Sequence, residues 1–477
     1  MKRKVYIFIA SEQKGFLISL AKILEADYNS EICIVARDKY VKKLIDRLLP
    51  GRNGDIVLSE IRYQLPQSEV MSNALEIEKK YKINLSMLMS EDRALGQGHL
   101  HNIEKIPDIV RASWGNKDKL KEIIEIIRVK EIIIQPCDFV IQLTPDKITS
   151  MVARYLGAGV YCPASIKFGD RILWCDDDFA TSSRFVKRVK DNLNLNHNNQ
   201  YGEEYKVDAD GDRINLTSKF KYRLSLIQAA KIFLNETKNY IRGIHKKNAY
   251  HYLGWVPTVF RKVRNYRYLE SISITPDQVK EYKIVFFPLH LEPEIALLNY
   301  SPEFSNSMEV ISWISKALPS DAILVVKEQV GCFGVRSKWY YNHINKIGNV
   351  VWANPTTHSW DWIRSSEAIA TITGTVAIEA VHMKKPVISY GKHQITNHLP
   401  TVHYVSNFEE TKVILNRLLS TQLDKIDLEK SRFSLYKAQI ETSVDLPEYK
   451  DAHISVKLED AMAEKALKLL YEEYIKE

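Results

Sequence analysis

The sequence predicts an α/β protein built from two open, mostly parallel β-sheets. The first observation is length, because 477 residues exceed the roughly 250 to 300 residues that one hydrophobic core supports. The second is composition, since 45% hydrophobic and 26% charged residues are ordinary values for a folded globular chain. The third is an alternation of short apolar runs with helical patterns in both halves of the chain. We therefore expect two domains.

The amino-terminal half shows βαβα order, which is typical of a parallel sheet with helices on both faces. The apolar runs of this half are Val5–Ile9, Ile32–Ala36, Ile56–Val57 and Ile132–Ile134. The predicted helices are Leu17–Leu24, Val41–Leu49, Ser72–Tyr81, Lys119–Ile127 and Lys147–Leu156. The polar stretch Asn192–Gln200 has little to bury and predicts the end of this domain near residue 195.

A second alternating array begins at Thr275–Gln278, which has the pattern of a capping box with proline in the first turn. The predicted strands are Ile284–Phe287, Ile323–Val326, Val350–Trp352, Ala368–Ile372 and Pro386–Tyr390. The predicted helices between them are Met308–Leu318, Ser337–Ile347, Trp360–Arg364 and Val376–Met383. Five strands with four crossovers form a Rossmann-like half. Helical spacing of apolar residues predicts one more helix over the last ~20 residues.

These patterns divide the chain into four parts. We expect a Rossmann-like acceptor-side domain over 1–195, a basic, aromatic-rich helical segment over 196–275, a Rossmann-like nucleotide-sugar domain over 276–440 and a helical extension over 441–477. Two Rossmann-like domains that face an interdomain cleft, with a closing carboxyl-terminal helix, describe the glycosyltransferase B (GT-B) architecture. The active site of that architecture lies in the cleft.

The cysteines and apolar stretches indicate a cytoplasmic protein. The five cysteines are an odd number, are widely scattered and include no C-x-x-C pair, so neither a disulfide framework nor a zinc site is indicated. A reducing compartment fits this usage. The apolar run Val5–Ala10 is too short for a secretory signal, and no stretch approaches the roughly 20 residues of a membrane span.

Positive charge is concentrated between Lys219 and Arg267. This segment carries twelve basic residues and one acidic residue, so its net charge is +11 against +8 for the whole chain. Aromatic residues are interleaved with the basic ones, which suits an anionic membrane surface or an anionic acceptor. A solvated basic helix is the alternative interpretation. Nucleic acid is not favoured as a partner, because no nucleic-acid-binding motif accompanies the charge.

The sharpest local motif is the turn Thr373–Thr375, which joins the predicted strand Ala368–Ile372 to the helix that follows. Gly374 allows close approach of a ligand to the backbone, the two threonines supply hydroxyls, and amides at a helix start favour phosphate. Glu379 lies about one turn further on, where its carboxylate suits ribose hydroxyls. The turn follows a strand at the carboxyl edge, where open α/β sheets bind ligands.

Polar side chains also follow the first two strands of the second half. His290, Glu292 and Glu294 come after the first strand, and Lys327 and Glu328 come at the end of the second. An imidazole and carboxylates at strand ends suit a phosphate, a sugar or a base, whereas core packing explains them poorly. We therefore expect these five residues on the donor side of a binding site. The alternative is that the first three only shape the strand exit.

Four segments of the second half resemble the capsule-polysaccharide synthesis family, which contains Kdo-transferase-like enzymes. The segments are Pro288–Glu294, Val326–Glu328, Thr373–Ala380 and Lys385–Val387. The resemblance covers roughly Lys283–Gly391 and is weaker in the first half of the chain. It implies a GT-B glycosyltransferase that uses an activated nucleotide sugar, CMP-Kdo among the candidates, to build a surface polysaccharide at the cytoplasmic face of the membrane.

The chain departs from that family at two places. Glu292 stands where members commonly have glutamine, and Gln329-Val330 stands where many have His-Pro. The loss of that histidine removes a contact to the donor phosphate. The departure therefore predicts either a donor other than CMP-Kdo or impaired activity.

A glycosyltransferase also needs a polar group near the anomeric carbon, as a base or to stabilise the transition state. We expect this group among Asp92, Asp176 and Glu292. Asp176 and Asp178 form a D-x-D, which holds a metal in other glycosyltransferases, but the double Rossmann pattern argues against that use. We predict no metal and no cofactor, only a nucleotide-sugar co-substrate and a glycan or lipid-linked acceptor.

Two alternatives remain open from the sequence. A nucleotide-sugar epimerase uses the same double-Rossmann scaffold but needs no acceptor groove. A non-catalytic subunit for polysaccharide assembly would account for the missing histidine at Gln329. Turnover of a nucleotide sugar in the absence of an acceptor separates the first from a transferase, and nucleotide binding without any turnover favours the second.

Overall fold

The computed structural model confirms an α/β chain with two Rossmann-like units, each of which has its own core. The first unit comprises Met1–Ser86, Asp118–Asn196 and Tyr436–Glu477, and the second comprises Met87–Lys117 and His197–Leu435. The structure describes residues 2–10, 13–52, 54–92, 118–195, 230–231, 233–234, 237–238, 252–290, 292, 295–304, 307–329, 332–333, 336–421, 424–447, 449 and 456–475.

The sheet of the first unit has the order β13-β6-β5-β4-β1-β2-β3. The strands β1 to β5 are parallel, whereas β6 and β13 pair antiparallel at one edge. Val5, Ile7 and Ile9 of β1 are buried in the core, as alternation on a covered sheet requires. The strands are β1 (Arg3–Ile9), β2 (Ser30–Ala36), β3 (Ile56–Val57), β4 (Phe139–Gln142), β5 (Gly159–Ser165), β6 (Arg171–Cys175) and β13 (Val444–Asp445).

Helices cover this sheet, and side chains fix several of their starts. Asp38 accepts hydrogen bonds from the amides of Tyr40 and Val41, and Ser182 accepts one from the amide of Phe185. The helices are α1 (Lys14–Asp27), α2 (Lys39–Leu48), α3 (Val70–Tyr81), α4 (Leu85–Glu91), α5 (Lys119–Ile133), α6 (Lys147–Tyr155), α7 (Ser183–Leu193) and α16 (Asp460–Leu470). Helix α4 extends across the boundary into the second unit.

The carboxyl-terminal segment belongs to the first unit. Helix α16 contacts α1, and the indole nitrogen of Trp174 donates a hydrogen bond of 2.7 Å to the Ala466 carbonyl oxygen. The close approach also restricts α1, because a Cβ at Gly15 would lie 1.7 Å from the Lys457 carbonyl oxygen. The described residues from Tyr436 onwards therefore pack on the rest of the first unit, and the four-part division of the chain stays a prediction.

The sheet of the second unit is parallel and has the order β12-β11-β10-β7-β8-β9. This order is that of a complete Rossmann sheet, 3-2-1-4-5-6, read from its other edge. The interiors of its inner strands β7 and β8, Ile284–Phe287 and Ala322–Val326, are apolar and buried, as coverage of both faces requires. The strands are β7 (Lys283–Pro288), β8 (Ala322–Lys327), β9 (Val350–Trp352), β10 (Ala368–Thr371), β11 (Val387–Ser389) and β12 (Val402–Tyr404).

The predicted capping box at Thr275 and Gln278 is confirmed and begins a 3-10 turn over Pro276–Val279. The helices of the second unit are α8 (Tyr252–Ile272), α9 (Ile295–Tyr300), α10 (Ser307–Ala317), α11 (Lys338–Asn345), α12 (Ser359–Ser365), α13 (Val376–His382), α14 (Phe408–Ser420) and α15 (Lys425–Glu441). Helix α15 begins in the second unit and ends in the first.

Two expectations about strands were wrong. The run Ile132–Ile134 is not a strand, because α5 continues to Ile133 and buries its apolar side there. The strand of that region is β4, seven residues later and only four residues long. In the second unit the prediction stopped at five strands, whereas Val402–Tyr404 adds a sixth at the edge, where an exposed tyrosine and a half-buried histidine weaken the apolar signal.

Among the described residues, no helix is both long enough and apolar enough to cross a bilayer. The basic segment Lys219–Arg267 lies for the most part outside the described residues. Its described carboxyl-terminal part belongs to α8, where Tyr266 and Leu269 are buried while Arg264 and Arg267 are exposed. That part is therefore an amphipathic helix seated on the second unit.

Candidate functional site

The candidate site lies at the carboxyl edge of the second sheet, where β7 and β10 are neighbours. After β7 the chain proceeds to β8 and β9 on one side, and after β10 it proceeds to β11 and β12 on the other. Such a switch point leaves a crevice at the strand ends, and open α/β sheets bind ligands there. His290 follows β7, and the turn Thr373–Thr375 follows β10, so both predicted motifs lie at this position.

The turn is held by hydrogen bonds to Gly374. Its amide donates to Thr371 Oγ1 at 3.0 Å, and its carbonyl oxygen accepts from Gln394 Nε2 at 2.8 Å. A Cβ at Gly374 would lie 2.6 Å from Thr371 Oγ1 and 3.1 Å from Cε1 of His290. The sequence suggested glycine for ligand approach, and the structure adds a second reason, which is that the protein itself occupies the space.

The hydroxyl of Thr373 is the unusual group of this turn. Its Oγ1 atom is buried and has no hydrogen-bond partner in the described parts of the chain. A buried hydroxyl without a partner costs about 1–3 kcal/mol, so a ligand oxygen would satisfy it. Thr375 is exposed at the start of α13, whose amides at Ala377 and Ile378 already bond to Gly374 and Thr375 carbonyl oxygens.

The imidazole of His290 is buried beside this turn. Its Nε2 atom accepts a hydrogen bond of 3.2 Å from the Ile372 amide, which leaves the proton of the neutral ring on Nδ1. Burial lowers the pKa of His290 to about 4, and the Arg336 charge acts in the same direction. The ring is therefore neutral at physiological pH. It can donate one hydrogen bond to a ligand but brings no positive charge.

Lys327 supplies a positive charge at the neighbouring strand end. Its side chain is 4% exposed, and among the described residues no carboxylate lies within ion-pair distance of its ammonium. Burial lowers the pKa of Lys327 to about 8, although the charge of Glu328 opposes this shift. A buried ammonium without an ion pair is rare in proteins and suits an anionic ligand.

Glu292 and Glu328 form a buried ionic cluster with Arg336. Nη2 of Arg336 lies 3.2 Å from Oε2 of Glu292, and Nη1 forms an ion pair with Oε1 of Glu328. Oε1 of Glu292 accepts hydrogen bonds from the Ser307 amide at 3.1 Å and from its hydroxyl at 2.5 Å. Burial raises the pKa of Glu328. Both carboxylates are thus engaged by protein groups, and Glu292 is only 2% exposed.

Glu379 is bonded to an aromatic residue from another strand exit. Its Oε2 atom accepts a hydrogen bond of 3.0 Å from the indole nitrogen of Trp360. The ring of Trp360 stands edge-on to that of His358, at 5.3 Å between centroids. Nδ1 of His358 accepts from the Trp360 amide and caps α12, and burial lowers the pKa of His358, with Lys327 contributing. The hydrogen bond between Trp360 and Glu379 connects the exit of β9 to the helix that follows β10.

Several residues of the site were missed from the sequence. Gly391 follows β11 and lies against the turn, because a Cβ there would be 2.2 Å from the Ile372 carbonyl oxygen. Its position directly after a predicted strand was a usable signal. Gln394 and Trp360 reach the site by their side chains, which no spacing in the sequence indicates. Arg336 lies between β8 and β9, several residues away from either strand in the sequence.

The remaining candidates have partners of their own or lie outside the described residues. Asp176, in the first unit, accepts hydrogen bonds from the Ser183 amide at 2.8 Å and from its hydroxyl, and Asp178 pairs with Arg154 at 2.6 Å. Asp92 directly follows α4, and its amide donates a hydrogen bond to the Met89 carbonyl oxygen. Glu294 lies outside the described residues. Where the chain is described, no cluster of three or more metal-ligating side chains is found.

Comparison with known proteins identifies solved structures of related architecture. No protein-family model and no curated protein matches the sequence. One similar structure is a UDP-GlcNAc 2-epimerase from Methanocaldococcus jannaschii, with a TM-score of 0.26 and 11% identity over 93% of this chain and 99% of that one. Another is a glycosyltransferase from Rickettsia africae ESF-5, with a TM-score of 0.29 and 11% identity over 99% and 98%.

The similar structures also include KpsC, a β-Kdo 2,4 transferase from Thermosulfurimonas dismutans, with a TM-score of 0.31 and 9% identity over 61% of this chain and 78% of that one. A Kdo transferase is thus among the structural neighbours. At these identities and TM-scores the likenesses carry no argument about activity. The activity has to be inferred from the residues of this chain.

Proposed function

We propose that this protein is a glycosyltransferase that binds a nucleotide sugar at the carboxyl edge of its second sheet and transfers the sugar to a glycan or lipid-linked acceptor. The observation that supports the proposal is that a buried hydroxyl without a partner in the described residues, a neutral imidazole and a buried ammonium stand at the carboxyl ends of the adjacent strands β10, β7 and β8. These belong to Thr373, His290 and Lys327. Each offers a hydrogen bond or charge that suits a phosphate ester.

The proposed phosphate contacts follow from these groups. Oγ1 of Thr373 donates a hydrogen bond to a phosphate oxygen. This bond removes the cost of burying the Thr373 hydroxyl without a partner. Nδ1 of His290 carries the proton of the neutral ring, because Nε2 accepts from the Ile372 amide, and it donates to the same phosphate. Lys327 balances the phosphate charge and stabilises the charge that develops on the leaving group. Because the Lys327 ammonium supplies this positive charge, we propose that transfer proceeds without a metal ion.

The nucleoside end is assigned to Glu379, whose carboxylate accepts from ribose hydroxyls while Trp360 holds its orientation. Glu292 is assigned a positioning role, since its carboxylate bonds to Arg336 and Ser307. Asp92 and Asp176 remain the candidates for the group beside the anomeric carbon. Action at the cytoplasmic membrane face, with the basic segment Lys219–Arg267 on an anionic surface, is also part of the proposal.

Ligand binding tests the first step. Titration calorimetry and thermal shift with CMP, UDP and GDP should show one nucleotide that binds and stabilises the chain. Lys327→Met should weaken that binding by roughly tenfold or more, since a charged contact to phosphate is lost. Lys316→Met, which removes an exposed lysine of α10, serves as the control and should bind normally. Normal affinity of Lys327→Met would remove the central assignment.

Turnover then distinguishes transfer from the alternatives. The chain is incubated with sugar-labelled forms of the bound nucleotide, with and without glycan acceptors, and the products are separated by chromatography. Label in the acceptor fraction supports transfer. An epimer formed without acceptor supports an epimerase instead, and binding without any product supports a non-catalytic subunit.

A further inference from the structure

We propose that Arg336 is a positioning residue that holds the exits of β7 and β8 together, so that His290 and Lys327 address one phosphate. This inference rests on the proposed binding of a nucleotide sugar and deepens it, because it assigns the arrangement of the phosphate contacts to a residue outside those proposed contacts. Arg336 lies in neither of the strand-exit motifs that resemble the transferase family.

The guanidinium of Arg336 joins two strand exits. Nη2 donates a hydrogen bond of 2.8 Å to the carbonyl oxygen of His290, the residue whose ring lies beside the glycine turn. Nη1 pairs with Glu328, which directly follows Lys327. The two nitrogens of one rigid, planar group therefore fix the backbone at one phosphate contact and the residue next to the other.

The charges of the cluster include Lys327. Arg336 is 1% exposed and faces the two carboxylates of Glu292 and Glu328, so these three groups sum to one negative charge. The ammonium of Lys327 interacts electrostatically with Glu328 and brings the sum to zero. Buried ion clusters stabilise a fold little more than apolar residues of the same size. Stability alone therefore gives no reason for this arrangement, whereas positioning does.

Other elements hold Arg336 in place. Nδ2 of Asn265, a fully buried residue of α8, donates to the carbonyl oxygens of Phe333 at 2.7 Å and Arg336 at 2.9 Å. The ring of Tyr340 lies 5.1 Å from the guanidinium carbon. The loop that carries Arg336 is thus anchored from a separate helix. A residue anchored in this way can set the geometry of its partners.

The test separates positioning from stability. Arg336→Met alone leaves two buried carboxylates without a cation and is expected to unfold. The triple variant Arg336→Met, Glu292→Gln, Glu328→Gln removes the cation and both anions together and should restore the thermal midpoint. Its affinity for whichever of CMP, UDP and GDP the wild-type chain binds should remain about tenfold weaker.

A second variant keeps the test decisive if the triple variant does not fold. Arg336→Lys retains the buried positive charge but cannot bond to His290 and Glu328 through two parallel nitrogens. It should fold, and its nucleotide affinity should also fall about tenfold. The matched control is Arg52→Met, Glu25→Gln, Asp55→Asn, which removes an ionic cluster in the first unit and should leave affinity unchanged.

Wild-type affinity in either folded Arg336 variant would overturn the positioning role and leave the proposed function intact. A loss of affinity in the Arg52 control as large as that in the Arg336 variants would also overturn it, since general destabilisation would then explain the result. If the wild-type chain binds none of the three nucleotides, the proposed function fails and this inference fails with it.

Discussion

The indole nitrogen of Trp360 donates a hydrogen bond of 3.0 Å to Oε2 of Glu379, which joins the exit of β9 to the helix that follows β10. Trp360→Phe keeps the aromatic ring and removes the donor. If Glu379 binds ribose, the variant should weaken nucleotide binding by about tenfold, the value of one hydrogen bond to a charged group. Inorganic pyrophosphate lacks a ribose and should bind the variant as it binds the wild type. Calorimetry with both ligands measures the difference, and equal losses for both would contradict the assignment.

Gly374 is expected to tolerate no side chain. A Cβ at this position would lie 2.6 Å from Thr371 Oγ1, so Gly374→Ala should lower the free energy of unfolding by about 1–3 kcal/mol. Chemical denaturation measures the loss. Adding Thr371→Ala removes the clashing oxygen and should recover part of it. Gly348→Ala is the control, because no atom lies within 4 Å of the new Cβ there. A stable Gly374→Ala protein would show that the turn is looser than described.

Lys327 should make nucleotide binding depend on pH. Its pKa is about 8 in the folded chain, so the ammonium loses its proton above that pH and its attraction for phosphate weakens. In the unfolded chain Lys327 keeps this proton up to about pH 10.5. Between pH 8 and pH 10.5 the unfolded state therefore binds more protons than the folded state, so the free energy of unfolding rises with pH. Calorimetric titrations from about pH 6 to pH 10 should show affinity falling above pH 8 in the wild type. In Lys327→Met the affinity should be low and flat, and a wild-type profile in that variant would assign the titration to another group.

His290 should make the fold sensitive to acid. Its pKa is lowered to about 4, whereas the unfolded chain takes up this proton near pH 6.5. The unfolded state therefore binds more protons between these values, and stability that is fully present above pH 6.5 is lost as pH falls towards 4. The shift corresponds to about 3 kcal/mol. His290→Gln should flatten the pH dependence of the unfolding midpoint in this window, while His403→Gln tests the second histidine with a similar shift. An unchanged slope in His290→Gln would show that its ring titrates normally.

The second sheet could be predicted well because its strands are short apolar runs separated by clear helical patterns. Val350–Trp352 has the predicted limits, and the other four predicted strands differ by one or two residues at their ends. Parallel strands covered on both faces carry this apolar signal throughout. The edge strand Val402–Tyr404 was missed because it is only three residues long and includes a half-buried histidine and an exposed tyrosine. Likewise β4 was missed because α5 is itself apolar enough to resemble a strand.

The candidate site could be predicted in part. Strand ends are local in sequence, so His290, Lys327 and Thr373 could be placed at one edge from their positions alone. The ionic cluster could not, because Arg336 meets His290 across 46 residues and Glu328 across eight. For the same reason the ion pair between Glu292 and Arg336 could not be predicted from the sequence. The residue type and position of Glu292 suggested a reactive carboxylate. Its burial and its bonds to Arg336 and Ser307 instead indicate a positioning role.

The most direct test is a crystal structure of the chain with the nucleotide that binds most tightly. We expect a phosphate oxygen within hydrogen-bond distance of Thr373 Oγ1, with Nζ of Lys327 directed at the same phosphate. A nucleotide bound elsewhere, with Oγ1 of Thr373 still buried and lacking a partner, would contradict this expectation.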